Sequence, residues 1–298
     1  MAPGSAVRAY LGGGRWHFQH GPIDLVLGVD GESAAVAACV DDAWVRMQSI
    51  LAELVQELCV LRSPVCAGAL RGAVARRMET ACLPHRPAFL TPMAAVAGAV
   101  ADELVAPALA RAGVRRAFVN NGGDIALHLA PGERYRVGLF ADLGRFERGE
   151  RMRLDGDIEI GFGTAVRGIA TSGWRGRSFS LGIADAVTVL ASDAARADAA
   201  ATMIANAVNT DHPCIERRPA RTLRDDSDLG ERPVTVHVPA LPDDAVEQAL
   251  AAGARHARAL LDHGLILAAV LWLQGRARSV GTMVPTLPSS CTFQATAL

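Results

Sequence analysis

The stretch Phe118-Val119-Asn120-Asn121-Gly122-Gly123-Asp124-Ile125 decides how this chain is organised. Apolar residues on both sides of the Asn-Gly-Gly-Asp turn predict two strands joined by a tight connection, because Asn-Gly supplies positive φ at little steric cost. Glycines also let a ligand approach the main chain closely, so the same turn suits a backbone cradle for a phosphorylated molecule. No helix follows, which excludes the dinucleotide-binding fingerprint. A plain hairpin turn and a ligand cradle both stay open from these residues alone.

A second turn, Thr171-Ser172-Gly173, ends a strand predicted at 166–171. Its hydroxyls and N–H groups either cap an ordinary turn or face a phosphate. Trp174, Arg175 and Arg177 follow directly. An aromatic ring with two guanidinium groups suits a flat ring and an anion. Arg175 and Arg177 are therefore candidates for stabilising negative charge that develops during a reaction.

Asp198 and Thr202 are four residues apart on a helix predicted at 194–208, so they share one face. Asp198 either complements the helix dipole or, together with the Thr202 hydroxyl, holds a hard cation. Magnesium suits the second case, because it takes a few protein oxygens and completes its octahedron with waters and phosphates. Asp185 is either a structural turn residue or a supporting carboxylate and candidate general base. Asn206 lies one further turn along the helix, within reach of the same site.

The remaining sequence predicts a mixed chain of strands and amphipathic helices over one sheet. Further strands are predicted at 16–20, 23–27, 117–119, 125–129, 135–140, 157–161, 179–191, 234–238 and 265–274, the last as the final strand. Further helices are predicted at 34–61, 67–79, 92–112 and 243–263. The polar segment 211–233 is expected to be an excursion from the domain rather than a linker.

Composition and charge narrow the class of protein. Half of the 298 residues are hydrophobic and the net charge is −1, so no basic excess invites nucleic acid or an anionic membrane. Charged residues interrupt every apolar run of about 18, which predicts no membrane span and a cytoplasmic protein. The six cysteines form no Cys-x-x-Cys and are expected to be reduced. The absence of Gly-x-Ser-x-Gly, His-Glu-x-x-His and P-loop motifs gives a nucleophilic hydrolase little support.

Together these motifs resemble the ApbE superfamily, best known for magnesium-dependent FAD:protein FMN transferases, and most closely its shorter branch of unknown function. The resemblance spans roughly residues 15 to 280. Four segments carry it, namely Gly122-Gly123-Asp124-Ile125, Thr171-Ser172-Gly173, Val187-Thr188-Val189 and the Ala-Asp-x-x-x-Thr motif ending at Thr202. Gly98 and Asp102 also match the family's Gly-x-x-x-Asp at an upstream helix start.

The resemblance implies an α+β, T-fold-like single domain over 1–298, mostly antiparallel sheet covered by long amphipathic helices. It implies a Mg²⁺ site made by Asp198, Thr202 and a backbone carbonyl from the loop 94–97, here assigned to Ala95. It also implies that FAD or FMN binds at two turns, whose residues are Asn121, Gly122, Gly123, Asp124, Thr171, Ser172 and Gly173. A possible acceptor protein and a homodimer complete these expectations.

Two departures from the family's transferases bear on the reaction. Those enzymes have a lysine just before the glycine of the upstream helix, where this chain has Ala97. They also have a histidine-containing segment after Thr-Ser-Gly, where residues 177–185 here are short and contain no histidine. We therefore expect a retained metal and diphosphate region and an altered flavin region. A different enzyme on the same scaffold, serving sulfur or amino-acid metabolism, and a non-catalytic flavin-binding protein are the alternatives.

Overall fold

The computed structural model describes residues 5–139, 156–282 and the backbone of 292–295. It is an α+β protein, as the sequence predicts. The described strands are β1 Val7–Gly12, β2 Arg15–His20, β3 Ile23–Gly31, β4 Val114–Asn121, β5 Asp124–Leu129, β6 Arg134–Leu139, β7 Gly156–Gly161, β8 Gly168–Ser172, β9 Ala186–Ala191, β10 Glu216–Pro219, β11 Pro233–His237, β12 Ala268–Leu273, β13 Arg276–Gly281 and β14 Thr292–Ala295. The described α-helices are α1 Ser33–Gln56, α2 Leu58–Leu61, α3 Ala73–Cys82, α4 Val96–Leu109, α5 Ala194–Ala207, α6 Ala220–Leu223 and α7 Asp243–Asp262.

The chain divides into two compact units whose segments alternate along the sequence. The first unit consists of Met1–Tyr135, Ile160–Ala170 and Ala191–Ala199. The second consists of Arg136–Glu159, Thr171–Leu190 and Ala200–Leu298. The expectation of a single domain over 1–298 stays a prediction.

An antiparallel sheet forms the framework of the first unit. Strands β1 to β5 pair with their sequence neighbours in order, and β5 continues onto Gly168 and Ile169 of β8. Each of these pairings is antiparallel, which is the predicted kind of sheet. The predicted turn joins β4 to β5, with Asn121 opposite Asp124. Strand β1 was not predicted, because the three glycines at 12–14 that connect it to β2 lack the sequence pattern of a hairpin between two recognisable strands.

Helices α1 and α4 pack against this sheet. The buried residues of α1 recur every three or four positions, as an amphipathic helix requires; they are Cys39, Val40, Ala43, Met47, Ile50 and Leu54. The prediction of one helix over 34–61 is wrong at its end, because α1 stops at Gln56 and α2 is a separate turn. The Glu57 carboxylate between them accepts the N–H groups of Arg71 and Gly72, at 2.7 Å each. These bonds occupy free N–H groups before α3, which begins at Ala73 rather than at the predicted 67.

The segment Pro92–Leu109 comprises a short 3-10 turn and helix α4. Its mean hydropathy is 1.3 over 18 residues, so by length and composition alone it passes the test for a membrane span. In this structure 56% of it is buried inside the protein, which is also the pattern of a core helix. The segment includes Asp102 and Glu103, which interrupt its apolar run.

The second unit has its own strands and helix. Strand β12 pairs antiparallel with β9 and with β13, and β13 pairs parallel with β14. Helix α7 packs on β12 and β13. Two predictions are wrong here: residues 179–185 form a loop before β9, and the strand predicted at 265–274 is followed by β13. The polar segment 211–233 contains β10 and α6, and β10 pairs with β11.

Candidate functional site

The start of α4 and the start of α5 lie against each other at a glycine. A Cβ on Gly98 would lie 2.2 Å from the carbonyl oxygen of Ala194 and 2.8 Å from the nitrogen of Ala195, so only glycine fits. One turn along α4, the buried Asp102 accepts both the Ala194 and the Ala195 N–H groups at 2.9 Å. The Gly-x-x-x-Asp spacing therefore serves one contact: the glycine allows the approach and the carboxylate caps α5.

Asp102 holds this position at an electrostatic cost. Burial raises the pKa of its carboxyl to about 6, although the hydrogen bonds from Ala194 and Ala195 favour the charged form. Asp102 thus has a structural role, because it fixes the first turn of α5. Helix α5 is the helix that carries Asp198. The sequence motif identified the residue, but only the structure shows which N–H groups it accepts.

Asp198 is the carboxylate that this contact positions. Its Oδ2 accepts the N–H of Gly98 at 3.0 Å, across 100 residues of sequence. The pKa of Asp198 is raised well above its ordinary value, first by burial and then by the negative charge of Asp124. Hydrogen bonds from the backbone of Gly98 and Ala97 act in the opposite direction. Burial and a neighbouring negative charge both disfavour the ionised carboxylate, so a cation bound nearby would stabilise it.

The predicted Gly-Gly turn is a hairpin, and it lies beside this carboxylate. Gly122 and Gly123 have φ values of 69° and 113°, in the region that favours glycine. The Asn120 side chain accepts the Gly123 N–H at 2.9 Å. Buried Asn121 donates its Nδ2 to the carbonyl of Ala97 at 3.1 Å, which ties the turn to the start of α4. Asp124 is buried, and its charge acts on Asp198. The hairpin alternative is therefore correct, and the exposed glycines leave a role in ligand binding open.

Asp198 and Asp124 are suited to a divalent cation by their like charges. Among residues 5–139 and 156–282, no three His, Cys, Asp or Glu side chains converge to hold a metal ion. A cation here would therefore take one or two carboxylates and complete its shell with neutral oxygens and phosphate, as Mg²⁺ does. Ala95, buried at the end of the 3-10 turn before α4, stays a predicted carbonyl ligand. Thr202, half-buried on α5, likewise stays a predicted ligand.

In the second unit, the turn Thr171-Ser172-Gly173 is held tightly from one side. The Thr171 and Thr188 hydroxyls are 2.9 Å apart. A Cβ on Gly173 would lie 2.3 Å from the carbonyl oxygen of Asp185, so this glycine is required by a backbone contact. Thr171 is nevertheless exposed and Ser172 half-exposed. The Thr171 hydroxyl already has Thr188 as a partner, and binding of a phosphate by Thr171 and Ser172 stays a prediction.

Asp185 organises the loop that follows this turn. Its Oδ1 accepts the Trp174 Nε1–H at 3.2 Å and lies 3.4 Å from the Arg175 guanidinium. Its Oδ2 accepts the Gln274 N–H at 2.6 Å. Both oxygens are therefore engaged, which favours the structural alternative for Asp185; its role as a general base stays a prediction. Arg175 also stacks on the Trp174 ring at 4.9 Å, and Arg177 is exposed.

The loop at 179–181 receives contacts that sequence reasoning did not foresee. Asn206, expected near the metal, accepts the Leu181 N–H at 2.9 Å and the Ser180 hydroxyl at 3.3 Å. The Arg224 guanidinium lies 5.3 Å from the centre of the Phe179 ring. This last contact places the polar segment 211–233 on the loop that stands where the transferases have their histidine-containing segment.

Comparison with known proteins identifies the family. A family model described as AbpE bacteria matches residues 8–279, and this chain therefore belongs to that family. The predicted resemblance to the ApbE superfamily is thus confirmed.

Relatives of similar sequence include two UPF0280 proteins. The protein from Methanopyrus kandleri is 38% identical over 172 residues, which are 56% of this chain and 64% of that protein. The protein from Methanothrix thermoacetophila is 41% identical over 121 residues, 40% of this chain and 47% of that protein. The matched region thus spans between about half and two thirds of the length of these relatives.

Two solved structures have a more distant likeness. The apo form of the flavinyl transferase ApbE from Pseudomonas stutzeri is 12% identical, with a TM-score of 0.42 over 97% of this chain and 95% of that one. The ApbE protein from Thermotoga maritima is 15% identical, with a TM-score of 0.38 over 69% of this chain and 87% of that one.

Proposed function

We propose that this protein is a magnesium-dependent enzyme that binds a flavin nucleotide, with FMN transfer from FAD as its nearest chemistry. The observation that carries the proposal is Asp198: its carboxylate is oriented by the Gly98 N–H and destabilised by burial and by Asp124. A carboxylate held in this way is prepared to bind a cation. Membership of the AbpE bacteria family supports the flavin nucleotide as ligand.

The residues present fit a magnesium ion. Asp198 would hold it, with the Thr202 hydroxyl and the Ala95 carbonyl as further ligands implied by the family resemblance. Bound there, Mg²⁺ would neutralise the diphosphate of FAD, so that a hydroxyl could bond to the FMN phosphorus as the P–O bond to the leaving AMP breaks. The protein's own contribution is placement: the Gly98 N–H orients Asp198, and Asp102 fixes the first turn of α5.

The family resemblance implies anion binding at the two turns, each considered by itself, and the loop after the second turn adds a candidate positive charge. The exposed Gly122-Gly123 turn has no side chains at these two positions, so a phosphate could approach its main chain closely. Thr171 and Ser172 would contribute from the second turn, and Arg177 offers an exposed positive charge. Such fixed donors stabilise negative charge as it develops. The acceptor protein and the cytoplasmic location remain predictions.

A second candidate is a different enzyme on this scaffold, acting on another phosphorylated molecule. Two observations favour it. Ala97 replaces the lysine of the transferases, and its carbonyl is already occupied by Asn121. Asp185, the candidate base, has both oxygens engaged. A third candidate is a non-catalytic flavin-binding protein, in which the same residues bind and do not react.

The test combines flavin binding, magnesium and two aspartate variants. Purified protein is mixed with FAD with and without MgCl₂. Binding is measured as the shift in the midpoint temperature of unfolding, and reaction is measured as the release of AMP. Asp198→Asn removes the proposed ligand. Asp193→Asn is the matched control, because Asp193 caps the same helix by accepting the Arg196 N–H at 2.8 Å and asparagine caps equally well.

The outcomes separate the candidates. Release of AMP that requires Mg²⁺ and is lost only in Asp198→Asn supports FMN transfer. Magnesium-dependent FAD binding without AMP release supports the non-catalytic protein, and absence of flavin binding supports the different enzyme. If Asp198→Asn keeps the magnesium dependence seen in the Asp193→Asn control, the metal assignment is wrong.

A further inference from the structure

The loop at residues 174–179 is a basic part of the second unit. It contains Arg175 and Arg177 and no acidic residue. Arg175 is already paired, because its guanidinium lies 3.4 Å from the Asp185 carboxylate. Arg177 is exposed, and within the part of the chain that the structure describes its guanidinium has no hydrogen bond or ion pair. The loop therefore presents one positive charge that the described residues do not neutralise.

The polar segment 211–233 brings a second positive charge to this loop. The guanidinium of the exposed Arg224 lies 5.3 Å from the centre of the half-exposed Phe179 ring. A guanidinium placed over a ring uses one of its faces and leaves the N–H donors at its edge available. No carboxylate or carbonyl among the described residues accepts those donors. The ring thus holds the Arg224 side chain in place while its hydrogen-bonding edge stays unused.

The loop and the polar segment are also joined to each other through the residues that follow Phe179. The Thr235 N–H donates to the Ser180 carbonyl at 2.9 Å, which ties β11 to the loop. The Asn209 side chain accepts the Arg217 guanidinium at 2.7 Å and donates to the Leu181 carbonyl at 3.2 Å. The two guanidinium groups are therefore held in place before any ligand arrives, which lowers the entropic cost of binding.

We propose that Arg177 and Arg224 together bind a phosphate group of the protein's ligand. Arg177 is two residues from Phe179, so the Cα atoms of these two residues lie within about 7 Å of each other. Two positive charges match the charge of about −1.5 to −2 on a phosphate ester, whereas a single carboxylate would need only one. Guanidinium groups also match phosphate geometry, because they donate two parallel hydrogen bonds. The inference deepens the proposed function and rests on it for the kind of ligand, a nucleotide.

The site is tested with inorganic pyrophosphate in the presence of EDTA. Without a divalent cation the proposed magnesium chemistry contributes nothing, so pyrophosphate binding and magnesium-dependent release of AMP can fail independently. Isothermal titration calorimetry compares the natural protein with Arg224→Gln and with Arg177→Gln. We expect each variant to bind pyrophosphate about tenfold more weakly, because each loses hydrogen bonds between two charged groups.

Arg218→Gln is the matched control. Arg218 is exposed on β10 of the same polar segment, and it alternates with Arg217, whose side chain turns towards Asn209. This variant should bind pyrophosphate as the natural protein does, and all three variants should keep the natural circular dichroism spectrum. Three results would overturn the proposal: no binding by the natural protein, natural affinity in Arg224→Gln, and an equal loss in Arg218→Gln.

Pairs of ligands that differ by one phosphate identify the nucleotide that supplies it. The same calorimetry compares FMN with riboflavin and AMP with adenosine. If FMN binds about tenfold more tightly than riboflavin and Arg224→Gln removes the difference, the site takes the flavin half of FAD. The same result for AMP and adenosine would assign the site to the adenine half. A natural protein that distinguishes neither pair would overturn the proposal that the phosphate belongs to a nucleotide.

Discussion

Replacement of Gly98 by alanine tests the contact on which the site depends. The added methyl carbon would lie 2.2 Å from the Ala194 carbonyl oxygen and 2.5 Å from its carbonyl carbon. These are backbone atoms in the first turn of α5, so no side chain can rotate away to make room. The start of α4 and the start of α5 must therefore separate.

The magnitude follows from two costs. Overpacking of a tight contact costs about 1–3 kcal/mol. Separation also stretches the bond from the Gly98 N–H to Asp198, and hydrogen bonds to charged groups contribute about 1.5–3 kcal/mol. We expect Gly98→Ala to lower the free energy of unfolding by about 3 kcal/mol, a large share of the ~5–15 kcal/mol that natural domains have.

The assay is urea unfolding followed by circular dichroism, with a second glycine as control. Gly163 has nothing within 4 Å of an added Cβ and is in a conformation open to other residues, so Gly163→Ala should change stability by no more than about 0.5 kcal/mol. Magnesium-dependent FAD binding should fall in Gly98→Ala and persist in Gly163→Ala. If the two variants unfold at the same urea concentration, the argument that this contact excludes a side chain is wrong.

Three further perturbations test other carboxylates. With the pKa of Asp102 raised from 3.8 to about 6, the folded state keeps a proton that the unfolded state loses, so stability falls as pH rises from 4 to 6, by 2.2 × 1.36 or about 3 kcal/mol. Asp102→Asn should lack this slope when unfolding is measured across that pH range, and an unchanged slope would contradict the assignment. Asp185→Ala should cost about 2–4 kcal/mol, because it leaves the Gln274 N–H and the Trp174 indole without their acceptor; an unfolding midpoint unchanged from Asp185→Asn would count against this. Glu57→Ala should speed amide hydrogen exchange at Arg71 and Gly72, and unchanged exchange at both would refute the cap.

Local patterns predicted the elements that local forces decide. The Asn-Gly-Gly-Asp turn was placed correctly between β4 and β5, because positive φ is a property of the glycines themselves. Helix α5 was placed within a residue of its observed bounds, since its alanines favour helix in any surroundings.

Predictions failed where a distant group decided the outcome. The start of α3 is set by Glu57, which is 15 residues away from Gly72. Residues 179–185 have the apolar character of a strand, yet hydrogen bonds to Asn206 and Gln274 hold them in a loop. In both cases the residues whose structure was mispredicted carry no local sequence pattern that reveals the distant partner.

By itself, the sequence determined the kinds of turn, the helix that carries Asp198 and the motifs that identify the family. Only the tertiary structure decided that Asp198 lies against Gly98 and feels the charge of Asp124. The reason is physical: backbone preferences act between neighbours in the chain, whereas burial and charge interactions depend on distance in space. The pKa of Asp198 arises from groups that folding brings together, and no local pattern contains that distance.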